Sequence, residues 1–319
     1  DEVMGELSEG ISKARVEAAQ IRDVDLVSTW EERYKRYEEL HESMGIVEGA
    51  IKTGRSGFDM ITGGFRPQQF IVMAGEPKRG KSLVSLLLAN AIHSQHLGST
   101  LFLSFEMSAD EQAARYDAFR AGISHSKLLD GSLTRQDLKK LQAAKFYNDD
   151  AFLVSEDTAR LTTVSAIAQK VKEFQPDVLF IDGMYMLEDD KGEPSGSPQA
   201  LTNITRATKR LAQEADICIF GTTQVLPSKI QNAKTRAITA DSLGYSSSWA
   251  QDADLVLGIE RDPDQQDTSI IRVVLGRTVA ADKTVHIKWD WDTMDFDEVE
   301  APTDWNMWSN EQFSEDPWG

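Results

Sequence analysis

Gly75-Glu76-Pro77-Lys78-Arg79-Gly80-Lys81-Ser82 is the stretch that decides the fold of this chain. It has the spacing G-x-x-x-x-G-K-[ST]. It follows the apolar run Phe70-Ile71-Val72-Met73-Ala74 and opens into the apolar stretch from Leu83 to Ala91. Strand, glycine-rich turn and helix are the context in which that spacing carries chemistry. The glycines let backbone N–H groups turn inward around an anion, and the amino end of the helix adds positive potential. An ammonium at Lys81 suits the outer phosphates of a nucleotide, and a hydroxyl at Ser82 suits Mg²⁺. Gly75, Pro77, Lys78, Arg79, Gly80, Lys81, Ser82 and Leu83 are therefore expected to line a site for ATP and Mg²⁺.

A second half of such a site lies downstream. Val178-Leu179-Phe180-Ile181-Asp182 is an apolar strand ending in a carboxylate, so Asp182 is expected to hold Mg²⁺ together with Ser82. The run Leu101–Phe105 ends at Glu106. Strand carboxyl ends gather on the phosphate side of a parallel sheet, which places Glu106 to orient or deprotonate an attacking water. A second reading makes it a carboxylate at the start of a helix, because Ser108 and Glu111 follow with the spacing of a capping box. Phe220-Gly221-Thr222-Thr223-Gln224 also runs into a polar end. Gln224 is either a contact to the terminal phosphate or an ordinary polar strand end.

Around these motifs, short apolar runs alternate with longer amphipathic stretches, the pattern of a mostly parallel sheet flanked by helices. Strands are predicted at 70–74, 101–105, 152–154, 178–181, 217–222, 255–259, 270–275 and 285–289, the last two as a hairpin at a sheet edge. Residues 188–200 and 226–247 read as loops. Residues 2–43 read as one helical arm, with Val3, Leu7, Ile11 and Val16 at near-helical spacing. The predicted division is a helical arm over 1–50, an α/β domain over 51–300 and a flexible acidic tail over 301–319.

The net charge of −18 argues at first against a nucleic-acid partner. The charge is unevenly spread, however. Residues 1–50 carry a net −7 and residues 290–319 a net −10 with no Lys or Arg, so 51–289 is nearly neutral at −1. The middle is free to bring local cations to a phosphate backbone. The single cysteine, Cys218, excludes an internal disulfide framework and fits a reducing cytoplasm.

Over roughly residues 45–300 the chain resembles the DnaB-type replicative helicases, of RecA-like fold. The resemblance rests on Thr53-Gly-Arg-Ser-Gly-Phe-Asp59 with Thr62-Gly-Gly64, on Ser104-Phe-Glu106-Met-Ser-Ala109 with Arg115 following, on Gln224, and on Gln251-Asp-Ala-Asp254. It implies an ATP-driven DNA helicase working 5′→3′ as a homo-hexamer. Glu106 would be the catalytic carboxylate and Gln224 the phosphate sensor. The segment Asp241–Ser248, which includes Gly244 and Tyr245, resembles the family loop that contacts single-stranded DNA. The family carries a Lys-x-Arg pair that reaches the neighbouring subunit's ATP. Here the matching stretch is Leu275-Gly276-Arg277, which keeps the arginine and lacks the lysine. Arg277 is the expected finger in trans, and Lys283 is a candidate for the missing lysine. The family also has a domain ahead of the motor, whereas these 319 residues begin in a stretch resembling the linker helix that packs on the next subunit. The divergence of the motifs suggests a phage or plasmid member.

Two loops are candidates for the DNA path. Residues 226–247 carry Lys229, Lys234 and Arg236 among polar residues, which suits phosphate contacts without base readout. Residues 188–203 begin with Glu188, Asp189 and Asp190 and are the weaker candidate. The tail joins carboxylates to Trp305, Trp308 and Trp318. It either docks a replication partner such as a primase, polymerase or loader, covers the DNA channel, or acts as a solubilising end. The competing function is a RecA-like ATPase that does not unwind, either a recombination filament or a switch ring of the KaiC or RadA kind.

Overall fold

The computed structural model describes residues 24–42, 49–145, 151–158, 162–225, 238, 247–263, 265 and 267–300. They fall into two units, divided between Glu48 and Gly49.

In the first unit, α1 spans Trp30–Glu42. The arm is not one continuous helix, because turns occupy 26–29. Asp25 explains the interruption. Its carboxylate accepts the Val27 N–H at 2.9 Å and its carbonyl accepts the Thr29 hydroxyl at 2.6 Å, so an aspartate turn competes with the helical ladder. Val3, Leu7, Ile11 and Val16 lie outside the described residues.

The second unit opens with α2 (Ser56–Thr62), which ends at Gly63 with φ 78°. Then come β1 (Phe70–Gly75), α3 (Lys81–Ser94), β2 (Thr100–Ser104), α4 (Ala109–Ala121), α5 (His125–Asp130), α6 (Arg135–Ala143) and β3 (Leu153–Glu156). The chain continues through α7 (Val164–Phe174), β4 (Val178–Asp182), a 3₁₀ turn at Met184–Met186, α8 (Pro198–Ala215) and β5 (Cys218–Gln224). It closes with α9 (Ser247–Asp252), β6 (Leu255–Arg261), β7 (Thr268–Gly276), β8 (Thr284–Asp290) and β9 (Asp295–Val299).

The strands form one sheet in the order β3-β2-β4-β5-β1-β6-β7-β8-β9. Pairing is parallel from β3 to β6 and antiparallel from β6 to β9. The central strands read as continuous apolar runs because both their faces are buried. Ile71, Met73, Phe102, Phe180 and Phe220 pack under α2 and α3 on one face, while Phe70, Val72, Leu101, Leu179 and Ile219 pack under α7 and α8 on the other. Phe65 anchors the first layer, with its ring 5.9 Å from that of Phe180 and 5.6 Å from that of Phe220. Such pairs contribute about 0.5–1.5 kcal/mol each beyond simple burial.

The β7–β8 hairpin forms, but it is not the sheet edge. β9 pairs outside β8, with Trp289 opposite Phe296. β9 is hidden in the sequence because Asp295, Asp297 and Glu298 make it look like part of the acidic tail. Only Phe296 is fully buried in it, and a single apolar residue is too weak a period-two signal. Residues 301–319, with their tryptophans, lie outside the described residues.

Candidate functional site

β1 is flanked by β5 and β6, and the chain leaves it towards β2 and later crosses back to β6. A crevice at the carboxyl ends of the strands follows from such a reversal. Gly75 ends β1 there, and Gly80, at φ 86°, turns the chain into α3. Lys78 also lies in the left-handed region at φ 60°. A Cβ on Gly75 would come within 2.6 Å of Ile259 Cγ2, and one on Gly80 within 2.5 Å of Trp289 Cη2. Both glycines are therefore required by close packing, and Gly80 by its backbone angle as well. The Lys81 ammonium is buried across the mouth of the loop. It donates to the carbonyls of Gly75 at 3.1 Å and Glu76 at 2.9 Å. Arg79 pairs with Glu76 within the loop, its Nε 2.9 Å from Oε2.

Adjacent strands bring the acidic groups to this loop. Ser104 on β2 pairs in register with Asp182 on β4. One register step past Ile181 and Gly221, Thr222 on β5 donates its hydroxyl to Asp182 Oδ1 at 2.9 Å. Asp182 is fully buried, and its carboxyl is pushed up to about 6. Burial is the main cause and the charge of Glu106 the second. Hydrogen bonds from Thr222 and Ser82 and the charge of Arg115 act against them. Burial lowers the Lys81 ammonium, opposed by the charges of Glu106 and Asp182. A carboxylate and a hydroxyl supply hard oxygen ligands, and a cation beside Asp182 would offset the cost of ionising it in this setting. Ser82 and Asp182 therefore fit a Mg²⁺. The paired glycines and Lys81 fit the phosphates.

Glu106 lies just past the end of β2. The capping box at Ser108 and Glu111 is present, with the Ser108 hydroxyl accepting the Glu111 N–H at 3.2 Å and the Glu111 carboxylate accepting the Ser108 N–H at 2.9 Å. Glu106 takes no part in it. Its Oε1 accepts the Tyr185 phenol and, at 3.2 Å, the Gln224 amide. Five of the expected site residues thus meet at one end of the sheet: Lys81, Ser82, Asp182, Glu106 and Gln224. Tyr185 and Thr222 were not read from the sequence. Thr222 becomes visible only once β4 and β5 are known to be neighbours, and Tyr185 has no signal beyond following Asp182 closely.

Arg277 stands apart from this group. Gly75 pairs with Ile259, whereas Gly276 pairs with Leu255 at the other end of β6. Four residues of strand, about 13 Å, separate the two positions. Asp254 holds Arg277 there, its Oδ1 3.5 Å from Nε, while the Gln251 carbonyl accepts Nη2 at 3.2 Å. The same carboxylate accepts the Phe70 N–H at 2.8 Å and Lys209 Nζ at 2.6 Å. Lys229, Lys234, Arg236, Gly244 and Tyr245 lie outside the described residues. Ile238 is buried, and its N–H donates to Glu260 Oε1 at 2.7 Å. Among the described residues, no helix is long and apolar enough to cross a membrane.

A glycine-rich loop between β1 and α3, faced by a strand-end aspartate in a mostly parallel sheet, defines a P-loop domain of RecA-like fold. A solved structure of an ATPase domain superposes with a TM-score of 0.75 at 20% identity, covering 88% of this chain and 100% of that one. A solved DnaB-like replicative helicase, described with its interactions with primase, superposes with a TM-score of 0.73 at 19% identity, covering 93% of this chain and 72% of that one. More particularly, the chain belongs to the DnaB-like helicase C-terminal domain family, whose model matches residues 50–298. It is 28% identical over 264 residues to the replicative DNA helicase DnaB of Geobacillus stearothermophilus, covering 81% of this chain and 57% of the relative. It is 27% identical over 293 residues to the replicative DNA helicase DnaC of Bacillus subtilis, covering 87% and 63%. The chain thus spans less than two thirds of the length of these relatives.

Proposed function

We propose that this chain is the ATP-driven motor of a replicative DNA helicase, a homo-hexameric ring that moves 5′→3′ on single-stranded DNA and separates the duplex. The observation that carries the reading is the convergence of Lys81 and Ser82 with Asp182, Glu106 and Gln224 at the carboxyl ends of adjacent strands. Lys81 binds the outer phosphates. Ser82 and Asp182 would hold Mg²⁺, which would offset the negative charge of the phosphates. Glu106 takes a proton from water as the water oxygen bonds to the γ-phosphorus. The bond from that phosphorus to the β–γ bridging oxygen breaks, and ADP leaves with phosphate. Gln224 reports the terminal phosphate.

The placement of Arg277 at the other end of the sheet supports a role in a neighbouring copy's site, where its guanidinium would stabilise the transferring phosphoryl group. Lys229, Lys234 and Arg236, with Gly244 and Tyr245, are proposed to contact the DNA backbone. Neutralising the three cations is expected to weaken single-strand binding and flatten its salt dependence. The solved helicase described with primase supports a primase as partner, with the arm over 1–50 and the tail over 301–319 as candidate docking segments.

Forked DNA with either a 5′ or a 3′ single-stranded tail tests the reading. ATP-dependent strand displacement from the 5′-tailed fork, abolished by Lys81→Ala, is expected. Hydrolysis stimulated by single strands with no displacement from either fork would instead establish the non-unwinding ATPase.

A further inference from the structure

The turn after β4 is built with more care than a connection needs. Gly183 has φ 98°, and a Cβ there would come within 2.9 Å of Glu106 Cγ. Its N–H donates to the Thr222 hydroxyl at 2.8 Å. Met184 is fully buried and fills the notch left by a second glycine, since a Cβ on Gly221 would lie 1.9 Å from Met184 Sδ. Two glycines and a buried methionine therefore fix the next residue, Tyr185, against the glutamate. Its phenol donates to Glu106 Oε1 and accepts the Gln224 amide at 2.5 Å. Burial, followed by the hydrogen bond and charge of Glu106 and the charge of Asp182, pushes the phenol's pKa up. The phenol thus stays a donor at every working pH.

On the reading of Glu106 as the water-activating carboxylate, we propose that Tyr185 is its positioning residue. The phenol occupies Oε1 and leaves Oε2 to face the attacking water. Glu106 is otherwise exposed, on a bend just past the end of β2, with free rotamers to lose. The Gln224 amide is shared between the same two groups. When Gln224 turns to a terminal phosphate, Tyr185 alone keeps the carboxylate aimed.

Tyr185→Phe keeps the ring and removes the donor. In steady-state ATP hydrolysis by the full chain with Mg²⁺ and an oligonucleotide, kcat is expected to fall about 10–100-fold. KM for ATP and the melting temperature are expected to stay at parental values. Glu106→Gln is assayed beside it. An inactive Glu106→Gln together with an unimpaired Tyr185→Phe overturns the role of Tyr185 alone. A parental rate in Glu106→Gln removes the role of Glu106, and this proposal with it. A joint change in KM, kcat and melting temperature in Tyr185→Phe makes the tyrosine a structural residue and also overturns the proposal.

Discussion

The Thr222 hydroxyl donates to Asp182 Oδ1 at 2.9 Å while accepting the Gly183 N–H at 2.8 Å. One side chain on β5 thus orients both the buried carboxylate and the turn that carries Tyr185. Even with this donor, the Asp182 carboxyl stands at about 6, against an ordinary value of 3.8. Between those pH values the folded chain keeps a proton that the unfolded chain has lost. Stability therefore falls as pH rises through that window, by about 3 kcal/mol in total. Asp182→Asn removes the decline. Without nucleotide and Mg²⁺ it should melt several degrees above the parent at pH 8 and level with it near pH 4, while losing ATP hydrolysis. Thermal melts across pH check this, and equal offsets at both pH values would refute it.

Gly80 faces a similar constraint from packing. Its φ of 86° is strained for any side chain, and the Trp289 ring occupies the space of a Cβ. Gly80→Ala is expected to lower ATP affinity about tenfold or more, from roughly 1–2 kcal/mol of left-handed strain plus displacement of the loop. Adding Trp289→Leu should restore part of the loss, because the clash goes and the backbone strain stays. Fluorescent-nucleotide titration of the two variants measures both parts.

Arg277 provides a test of assembly. Arg277→Ala should leave nucleotide binding intact and abolish turnover, while Lys81→Ala should lose both. Mixed in equal amounts before assembly, the two inactive variants should regain part of the parental rate. A boundary formed by the loop of one variant and the arginine of the other is then complete. Mixtures as inactive as their components would show that Arg277 does not act across a boundary.

Glu298 on β9 caps a helix about 240 residues away. Its carboxylate accepts the N–H groups of Gly57 and Phe58, each at 2.8 Å, at the start of α2. Arg55, at the N-cap position, offers no side-chain cap, and instead donates to the Phe296 carbonyl at 2.8 Å. Glu298→Ala should cost about 1–2 kcal/mol in chemical denaturation, with hydrolysis per folded molecule unchanged. No change in the denaturation midpoint would remove the cap from the account.

The glycine-rich turn between strand and helix, the strand-end aspartate and the alternating strands are legible because each is a local signal. A run of five apolar residues or a G-x-x-x-x-G-K-S spacing needs no knowledge of what packs beside it. The buried parallel strands were the easiest, since burial on both faces makes them uniformly apolar. Glu106 stood between two readings because its helix-start context is real, as Ser108 and Glu111 show. Only the neighbouring β4 and β5 reveal that its side chain turns away from the box to Tyr185 and Gln224. β9 stayed hidden because an edge strand with one buried residue looks like solvated acidic chain, and the Glu298 carboxylate finds its partners in α2. Local sequence thus determined most of the elements and which residues carry phosphate-binding chemistry as candidates. The order in which strands lie side by side decided which of those residues meet, because register across a sheet joins positions that chain spacing does not relate.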